Sequence, residues 1–168
     1  MTIADNTVLV TGASRGIGQA LVEEALRRGA KRVYAGTRQP LAHIDGRVMP
    51  LTLDVTNAEQ IQAAVKKVGS LDVLINNAGI ALYDDLSNLD AIGQHFAVNL
   101  FGMLNVTRAF LPQLKRSKGA IVNNLSMVAL AALPVIPAYS ISKAAALSMT
   151  QSLRAILAAQ EVDRKAHV

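Results

Sequence analysis

Tyr139 and Lys143 are the residues of this 168-residue chain that most directly suggest chemistry. They stand four positions apart at the start of a helix-like segment, AYSISKAAAL. Residues i and i+4 lie one above the other on a helix, so both side chains would face the same cleft. A free tyrosine has a pKa of about 10, and a nearby ammonium favours its phenolate. A Tyr-x-x-x-Lys pair alone is more often a surface pair, so its context decides.

The elements that would position this pair alternate along the chain. Apolar runs of strand length are separated by segments of helical period, which predicts a parallel sheet with helices on both faces. Right-handed crossovers then give a doubly wound Rossmann-type α/β fold with strand order 3-2-1-4-5 and one domain over residues 1–168. A helical region from about Asn88 to Arg116 is expected to divide into two helices, and the helix opened by Tyr139 to run to about Ala159. The five predicted strands are TVLVTG, RVYAGT, VMPLTLDV, LDVLINNAG and GAIVNNLS.

The first strand runs directly into the glycine-rich turn TGASRGIG. Gly12 permits a tight turn, and Gly16 and Gly18 let the backbone and the next helix approach a pyrophosphate at the positive helix N-terminus. The spacing is G-x-x-x-G-x-G instead of G-x-G-x-x-G, and a strand-to-helix turn favours glycine in any case. Its position at the first strand–helix turn of an α/β chain favours a dinucleotide site.

The end of the second predicted strand indicates which dinucleotide would bind. An NAD site places an acidic residue there for the ribose 2′-hydroxyl, whereas this chain has Arg38 and no acid before Asp45. Arg38 and Arg15 could pair with a 2′-phosphate. This chemistry favours NADP over NAD, although both side chains could also be ordinary surface arginines.

Two further strand ends carry polar residues. Asp54 could accept a hydrogen bond from an adenine amino group, or it could equally cap the following loop. The turn Asn76–Gly79 closes the fourth strand at the edge of the sheet where ligands bind in such folds. A turn of this composition is otherwise ordinary.

Six motifs resemble those of one known family when they are taken together. TGASRGIG, LDV, NNAG, VNLFG, NLS and YSISK occur in this order between about residues 6 and 160. In this respect the chain resembles the short-chain dehydrogenase/reductase family. The resemblance implies an oxidoreductase that moves a hydride between NADP(H) and a carbonyl or secondary-alcohol substrate.

The resemblance also implies roles for individual residues. Tyr139 would be the catalytic acid/base, Lys143 its lysine, Ser126 the serine that holds the substrate oxygen, and Asn99 a member of a proton relay. Tyr139 and Lys143 would also contact the cofactor. The other implied cofactor contacts are Gly12, Ser14, Arg15, Ile17, Arg38, Asp54, Val55, Asn77, Ala78 and Gly79.

Composition argues against several other classes of protein. The chain has no cysteine and three histidines, so no metal centre is expected. The net charge of +5 is dispersed and no tryptophan is present, which argues against nucleic-acid binding. No segment reads as a signal peptide or membrane span, and the expectation is a soluble cytoplasmic protein.

The C-terminal tail departs from the family pattern. Residues 161–168, EVDRKAHV, do not resemble a buried strand, so the usual sixth and seventh strands are expected to be lacking. The fifth strand would then be a sheet edge. A homodimer or homotetramer is expected, since the long helices after strands four and five usually pack between subunits in the family. Activity is expected to be impaired in this short form, and the alternative function is a catalytically silent NADP-binding or scaffold domain.

Overall fold

The computed structural model describes residues 2–39, 41–158 and the strand 163–167. The strands are β1 (Thr7–Thr11), β2 (Arg32–Thr37), β3 (Val48–Thr52), β4 (Val73–Asn76), β5 (Ala120–Asn124) and β6 (Asp163–His167). The helices are α1 (Gly16–Arg27), α2 (Ala58–Val68), α3 (Leu89–Phe96), α4 (Met103–Ser117) and α5 (Pro137–Ile156). The predicted end of the last helix, about Ala159, lies outside the described residues.

The strands form one parallel sheet in the order β3-β2-β1-β4-β5-β6. The first five strands follow the predicted order 3-2-1-4-5, and the predicted doubly wound α/β fold is confirmed. Order reverses between β1 and β4, which pair directly with each other. In folds of this kind the reversal opens a crevice at the carboxyl ends of the strands, where ligands bind.

A sixth strand extends the sheet beyond the position that the sequence predicts as its edge. β6 pairs in parallel with β5, from Ala120 opposite Asp163 to Asn124 opposite His167. The structure therefore corrects the expected count of five strands. An edge strand pairs through backbone N–H and C=O groups, so a polar sequence that does not resemble a buried strand can still occupy this place.

The core has two halves because the sheet is covered on both faces. Leu9 of β1 belongs to a buried cluster with Leu74 and with Phe110 of α4. Its neighbour Val10 belongs to a second cluster with Val22 of α1. Successive side chains of a strand point to opposite faces, so an apolar strand supplies both halves of the core.

The long helical region predicted between about residues 88 and 116 contains two α-helices joined by a π-helical segment, Ala97–Gly102. The side chain of Asn88 caps its beginning by accepting from the backbone N–H groups of Asp90 and Ala91. π-helical turns occur frequently at functional sites. The segment contains Asn99, whose side chain is completely buried.

Candidate active site

A cleft of about 490 Å³ opens at the carboxyl ends of the central strands. It contains every residue that the sequence assigned to the cofactor apart from Tyr139 and Lys143, which lie beyond one end of it. Its lining is Gly12, Ser14, Arg15, Gly16, Ile17, Gly18, Gly36, Thr37, Arg38, Leu53, Asp54, Val55, Thr56, Asn77, Ala78, Gly79, Ile80 and Val98.

The glycine-rich turn forms the floor of this cleft. Gly12 and Gly16 have positive φ angles of 66° and 55°, a backbone conformation that residues with a side chain rarely adopt. A Cβ atom on Gly18 would lie 2.0 Å from the Gly12 carbonyl oxygen, so the helix can approach the strand this closely only with glycine. The first turn of α1 has no acidic residue and Arg15 provides no side-chain cap. Its N–H groups are therefore suited to an anionic group such as a pyrophosphate.

The Asn-Asn-Ala-Gly turn after β4 is bound directly to the glycine-rich turn. The Thr11 hydroxyl accepts from the backbone N–H groups of Asn77 and Ala78 at 2.9 and 3.0 Å. The side-chain amide nitrogen of Asn77 donates to the carbonyl oxygens of Thr11 and Gly12. The side-chain oxygen of Asn77 accepts from the Asn124 amide at 2.9 Å. These bonds hold three strand ends in one arrangement below the cleft.

Arg15 and Arg38 are exposed and line the same cleft, which brings together the two cations considered for a 2′-phosphate. Asp54 accepts from the hydroxyl and backbone N–H of Thr56 at 2.7 and 2.8 Å, so it does cap its loop. These hydrogen bonds, the hydroxyl foremost, hold the pKa of Asp54 below its ordinary value, and the charge of Arg38 acts in the same direction. Asp54 also lines the cleft, so capping does not exclude an adenine contact.

Helix α5 brings Tyr139 and Lys143 next to each other at the other end of the cleft. The Lys143 Nζ atom lies 5.7 Å from the centroid of the Tyr139 ring and donates to the Asn124 carbonyl oxygen at 3.1 Å. Only 4% of Lys143 is exposed, and this burial lowers its pKa to about 8. The amine therefore remains mostly protonated at neutral pH. A Cβ on Gly79 would lie 3.7 Å from Nζ, so the ammonium borders the cleft.

Asn99 reaches the same place from the π-helical segment. Its amide nitrogen donates to the Ile80 carbonyl oxygen and to the Ser142 hydroxyl, at 2.9 and 3.0 Å. Its oxygen accepts from the Ile80 N–H at 2.8 Å. Ser142 directly precedes Lys143, and a Cβ on Gly79 would lie 3.2 Å from the Asn99 oxygen. Asn99 and Lys143 thus flank the same point of the cleft.

Ser126 lies at the end of the loop that follows β5. Its half-buried hydroxyl caps a short 3₁₀ turn, Met127–Ala129, by accepting from the Val128 N–H at 3.4 Å. The turn packs against α5. The structure therefore places Ser126 on the element next to the helix that carries Tyr139.

The sequence interpretation missed two residues of this region. His95 is completely buried, and its ring centroid lies 6.3 Å from that of Tyr139. Asp84 accepts from the backbone N–H of Ala138, in the first turn of α5, at 3.2 Å. The spacing of His95 and Asn99, four positions on one helical region, could have indicated the histidine. No sequence signal joins Asp84 to a helix that begins 53 positions later.

The part of the chain that the structure describes holds neither a metal-binding cluster nor a membrane-spanning helix. Across residues 2–39 and 41–158, no group of three or more His, Cys, Asp or Glu side chains could hold a metal ion. None of the helices in that part of the chain is long and apolar enough to cross a bilayer.

Comparison with known proteins decides the family. The family model described as short chain dehydrogenase matches residues 6–166. This chain belongs to the short chain dehydrogenase family. The resemblance inferred from the six motifs is thereby confirmed, and with it membership of an oxidoreductase family.

Solved structures of other short-chain dehydrogenases have the same fold. One from Burkholderia cenocepacia J2315, crystallised in complex with NADP, is 43% identical with a TM-score of 0.95, over 99% of this chain and 72% of that one. The aldohexose dehydrogenase of Thermoplasma acidophilum, in ligand-free form, is 32% identical with a TM-score of 0.85. The match covers 94% of this chain and 64% of that one.

Curated relatives include an 11-beta-hydroxysteroid dehydrogenase-like protein of Arabidopsis thaliana, 33% identical over 90% of this chain and 54% of the relative. The 3-ketodihydrosphingosine reductase of Bacteroides thetaiotaomicron is 33% identical over 87% of this chain and 56% of the relative. The chain spans about half the length of these relatives. Their names cover different substrates, so they do not assign one to this short-chain dehydrogenase.

Proposed function

We propose that this short-chain dehydrogenase transfers a hydride between NADP(H) and the carbonyl or secondary-alcohol group of a small-molecule substrate. The observation that carries the proposal is the buried ammonium of Lys143 beside Tyr139, at the end of a cleft whose floor is a glycine-rich turn. The proposal is supported by the NADP complex of the Burkholderia structure.

The residues of the cleft fit NADP at its phosphates. A Cβ on Gly16 would meet no atom within 4 Å, so its backbone is open to the cleft, and the first turn of α1 presents N–H groups without an acidic neighbour. Arg15 and Arg38 are exposed in the same cleft and would pair with the 2′-phosphate. When bound, the cofactor supplies the hydride.

Residues of α5 would transfer the proton that accompanies the hydride. In the reducing direction Tyr139 donates its phenolic proton to the carbonyl oxygen, and in the oxidising direction its phenolate takes the hydroxyl proton. The Lys143 ammonium lies 5.7 Å from the centroid of the Tyr139 ring, on the side of the proposed proton transfer. Ser126 would hold the substrate oxygen in place, and Asn99 holds the segment beside Lys143 through Ile80.

Titration with NADPH and NADH, followed by turnover with a panel of ketones, tests this function. The expected result is tighter NADPH binding and turnover that Tyr139→Phe lowers by about 10²–10⁴-fold. NADPH binding is expected to stay unchanged in that variant. Tyr83→Phe is the matched control, because Tyr83 is 87% exposed. Binding without turnover would contradict the proposal and favour a silent cofactor-binding domain.

Arg38→Ala tests the cofactor preference separately. Loss of the guanidinium is expected to weaken NADPH binding roughly tenfold or more, the effect of about 1.5–3 kcal/mol for a charge-assisted hydrogen bond. NADH binding is expected to change little. Equal losses for both nucleotides would contradict the role of Arg38 at the 2′-phosphate.

A further inference from the structure

The segment from Ile80 to Asp84, which follows the Asn-Asn-Ala-Gly turn, is attached to the protein at every second residue. Ile80 exchanges two hydrogen bonds with the Asn99 side chain. The N–H of Leu82 donates to Nε2 of His95 at 3.0 Å. The third attachment is the carboxylate of Asp84, which accepts from the first turn of α5. The segment leads from the end of the cofactor cleft to the helix that carries the proposed acid/base.

His95 holds the middle of this segment as a neutral imidazole with one tautomer. Its Nδ1 atom lies 2.7 Å from the Ala91 carbonyl oxygen, which can only accept, so Nδ1 carries the hydrogen. Nε2 is then left as the acceptor for the Leu82 N–H. The imidazole is completely buried whereas Leu82 is 42% exposed, so losing this acceptor would release the Leu82 backbone from its attachment to the fold.

The same imidazole lies beside the ring of the proposed acid/base. Its ring lies 6.3 Å from the ring of Tyr139, centroid to centroid, with 58° between the two planes. This is within the range of favourable aromatic pairs. Asp84 binds the N–H of Ala138, the residue before Tyr139. The segment and the tyrosine are therefore held relative to each other from two sides.

We propose that His95 is a positioning residue for Tyr139, an inference that rests on the proposed hydride transfer. It acts through the backbone of Leu82, whose fixed place keeps the segment against the first turn of α5. Reaction depends on the placement of the proton donor to within a fraction of an ångström, and a shift of about 1 Å can cost 10²-fold in rate. His95 itself moves no proton, since both of its nitrogens are already bonded within the fold.

Two substitutions separate the parts of this arrangement. His95→Phe keeps an aromatic ring beside Tyr139 but removes the acceptor for Leu82. His95→Gln removes the ring but places an amide oxygen near the position of Nε2. We expect His95→Phe to lower kcat by about ten- to a hundredfold at an unchanged KM for NADPH, and His95→Gln to recover most of the loss. His43→Gln is the matched control, because His43 pairs with Glu23 at the surface.

A purely structural histidine would give a different pattern. Normal kcat in His95→Phe, or equal losses in both variants that follow their loss of thermal stability, would overturn the inference. If the unsubstituted protein shows no turnover, the proposed function fails, and hydrogen exchange then tests the attachment alone. The Leu82 amide is expected to exchange faster in His95→Phe but to stay protected in His95→Gln. Unchanged exchange in both variants would overturn the attachment.

Nitrogen NMR of the unsubstituted protein covers the case in which His95→Phe does not fold. The His95 imidazole is expected to show a protonated Nδ1 and an unprotonated Nε2 that accepts a hydrogen bond. The chain has three histidines, so His43→Gln and His167→Gln each remove one imidazole signal, and the signal that persists in both variants is that of His95. A protonated Nε2 would overturn the inference, since it could not accept from Leu82.

Discussion

Lys143 carries its charge into a place where water has little access. Burial lowers its pKa from the ordinary value of 10.5 to about 8. Below pH 8 both the folded and the unfolded chain hold the proton, and the buried charge costs the fold up to about 3 kcal/mol. Between pH 8 and 10.5 the folded chain releases the proton while the unfolded chain retains it. The cost of the buried charge therefore falls, and the free energy of unfolding rises, as the pH increases.

Lys143→Met is expected to remove this contribution. The unsubstituted protein should gain up to about 3 kcal/mol of unfolding free energy relative to Lys143→Met between pH 8 and 10.5. Urea unfolding of both proteins across this range measures the difference. The exposed Lys115→Met is the control and should run parallel to the unsubstituted protein. Parallel profiles for Lys143→Met would show that its ammonium is better solvated than its burial indicates.

At the scale of elements, two glycines have opposite reasons for their presence. Gly18 stands where α1 approaches the end of β1, and its Cβ would collide with the Gly12 carbonyl oxygen. Gly93 stands within α3, and a Cβ there would meet no atom within 4 Å. The first glycine is required by a contact between elements, whereas the second only makes its helix less stable.

Alanine substitutions test this distinction. Gly18→Ala is expected to lower stability by about 1–3 kcal/mol through overpacking, and to weaken NADPH binding by displacing the turn. Gly93→Ala is expected to raise stability by about 0.5–1 kcal/mol. Urea unfolding and NADPH titration of both variants make the comparison. A stable Gly18→Ala with unchanged binding would contradict the close approach.

At the scale of the whole molecule, β6 covers the edge of an apolar strand. Ile121 of β5 is buried, and the β5 backbone pairs with β6 along all five of its residues. Unpaired edges of apolar strands promote association with other chains. We expect a chain shortened to end at Ala158 to aggregate faster than the full chain, as followed by light scattering at equal concentrations. Equal aggregation would contradict a protective role for β6.

The helical regions that follow β4 and β5 each expose a large apolar side chain. Phe101 in the π-helical segment and Ile141 in α5 are 52% and 44% exposed, so an interface between subunits that covers these helices would bury both side chains. We expect sedimentation equilibrium to give two or four times the monomer mass of 17.8 kDa. Phe101→Glu should shift the mass toward the monomer. A monomer in the unsubstituted protein would contradict this expectation.

Sequence patterns predicted the features that depend on neighbouring residues. Strand and helix periods, the glycine spacing of the first turn and the Tyr139–Lys143 interval are local, and the first five strands form in the predicted order. The pattern failed for β6, because pairing at an edge depends on the backbone and not on apolar side chains.

Tertiary structure alone decided how the candidate site is held together. Lys143 binds a carbonyl oxygen of β5, and His95 binds the N–H of Leu82. Every residue carries a backbone C=O, and every residue except proline carries an N–H. The residue types at positions 124 and 82 therefore do not indicate these contacts. The burial that lowers the pKa of Lys143 arises where distant segments meet. The sequence by itself determined which residues could do the chemistry, and the packing of α5 against β5 and the 80–84 segment decided where they stand.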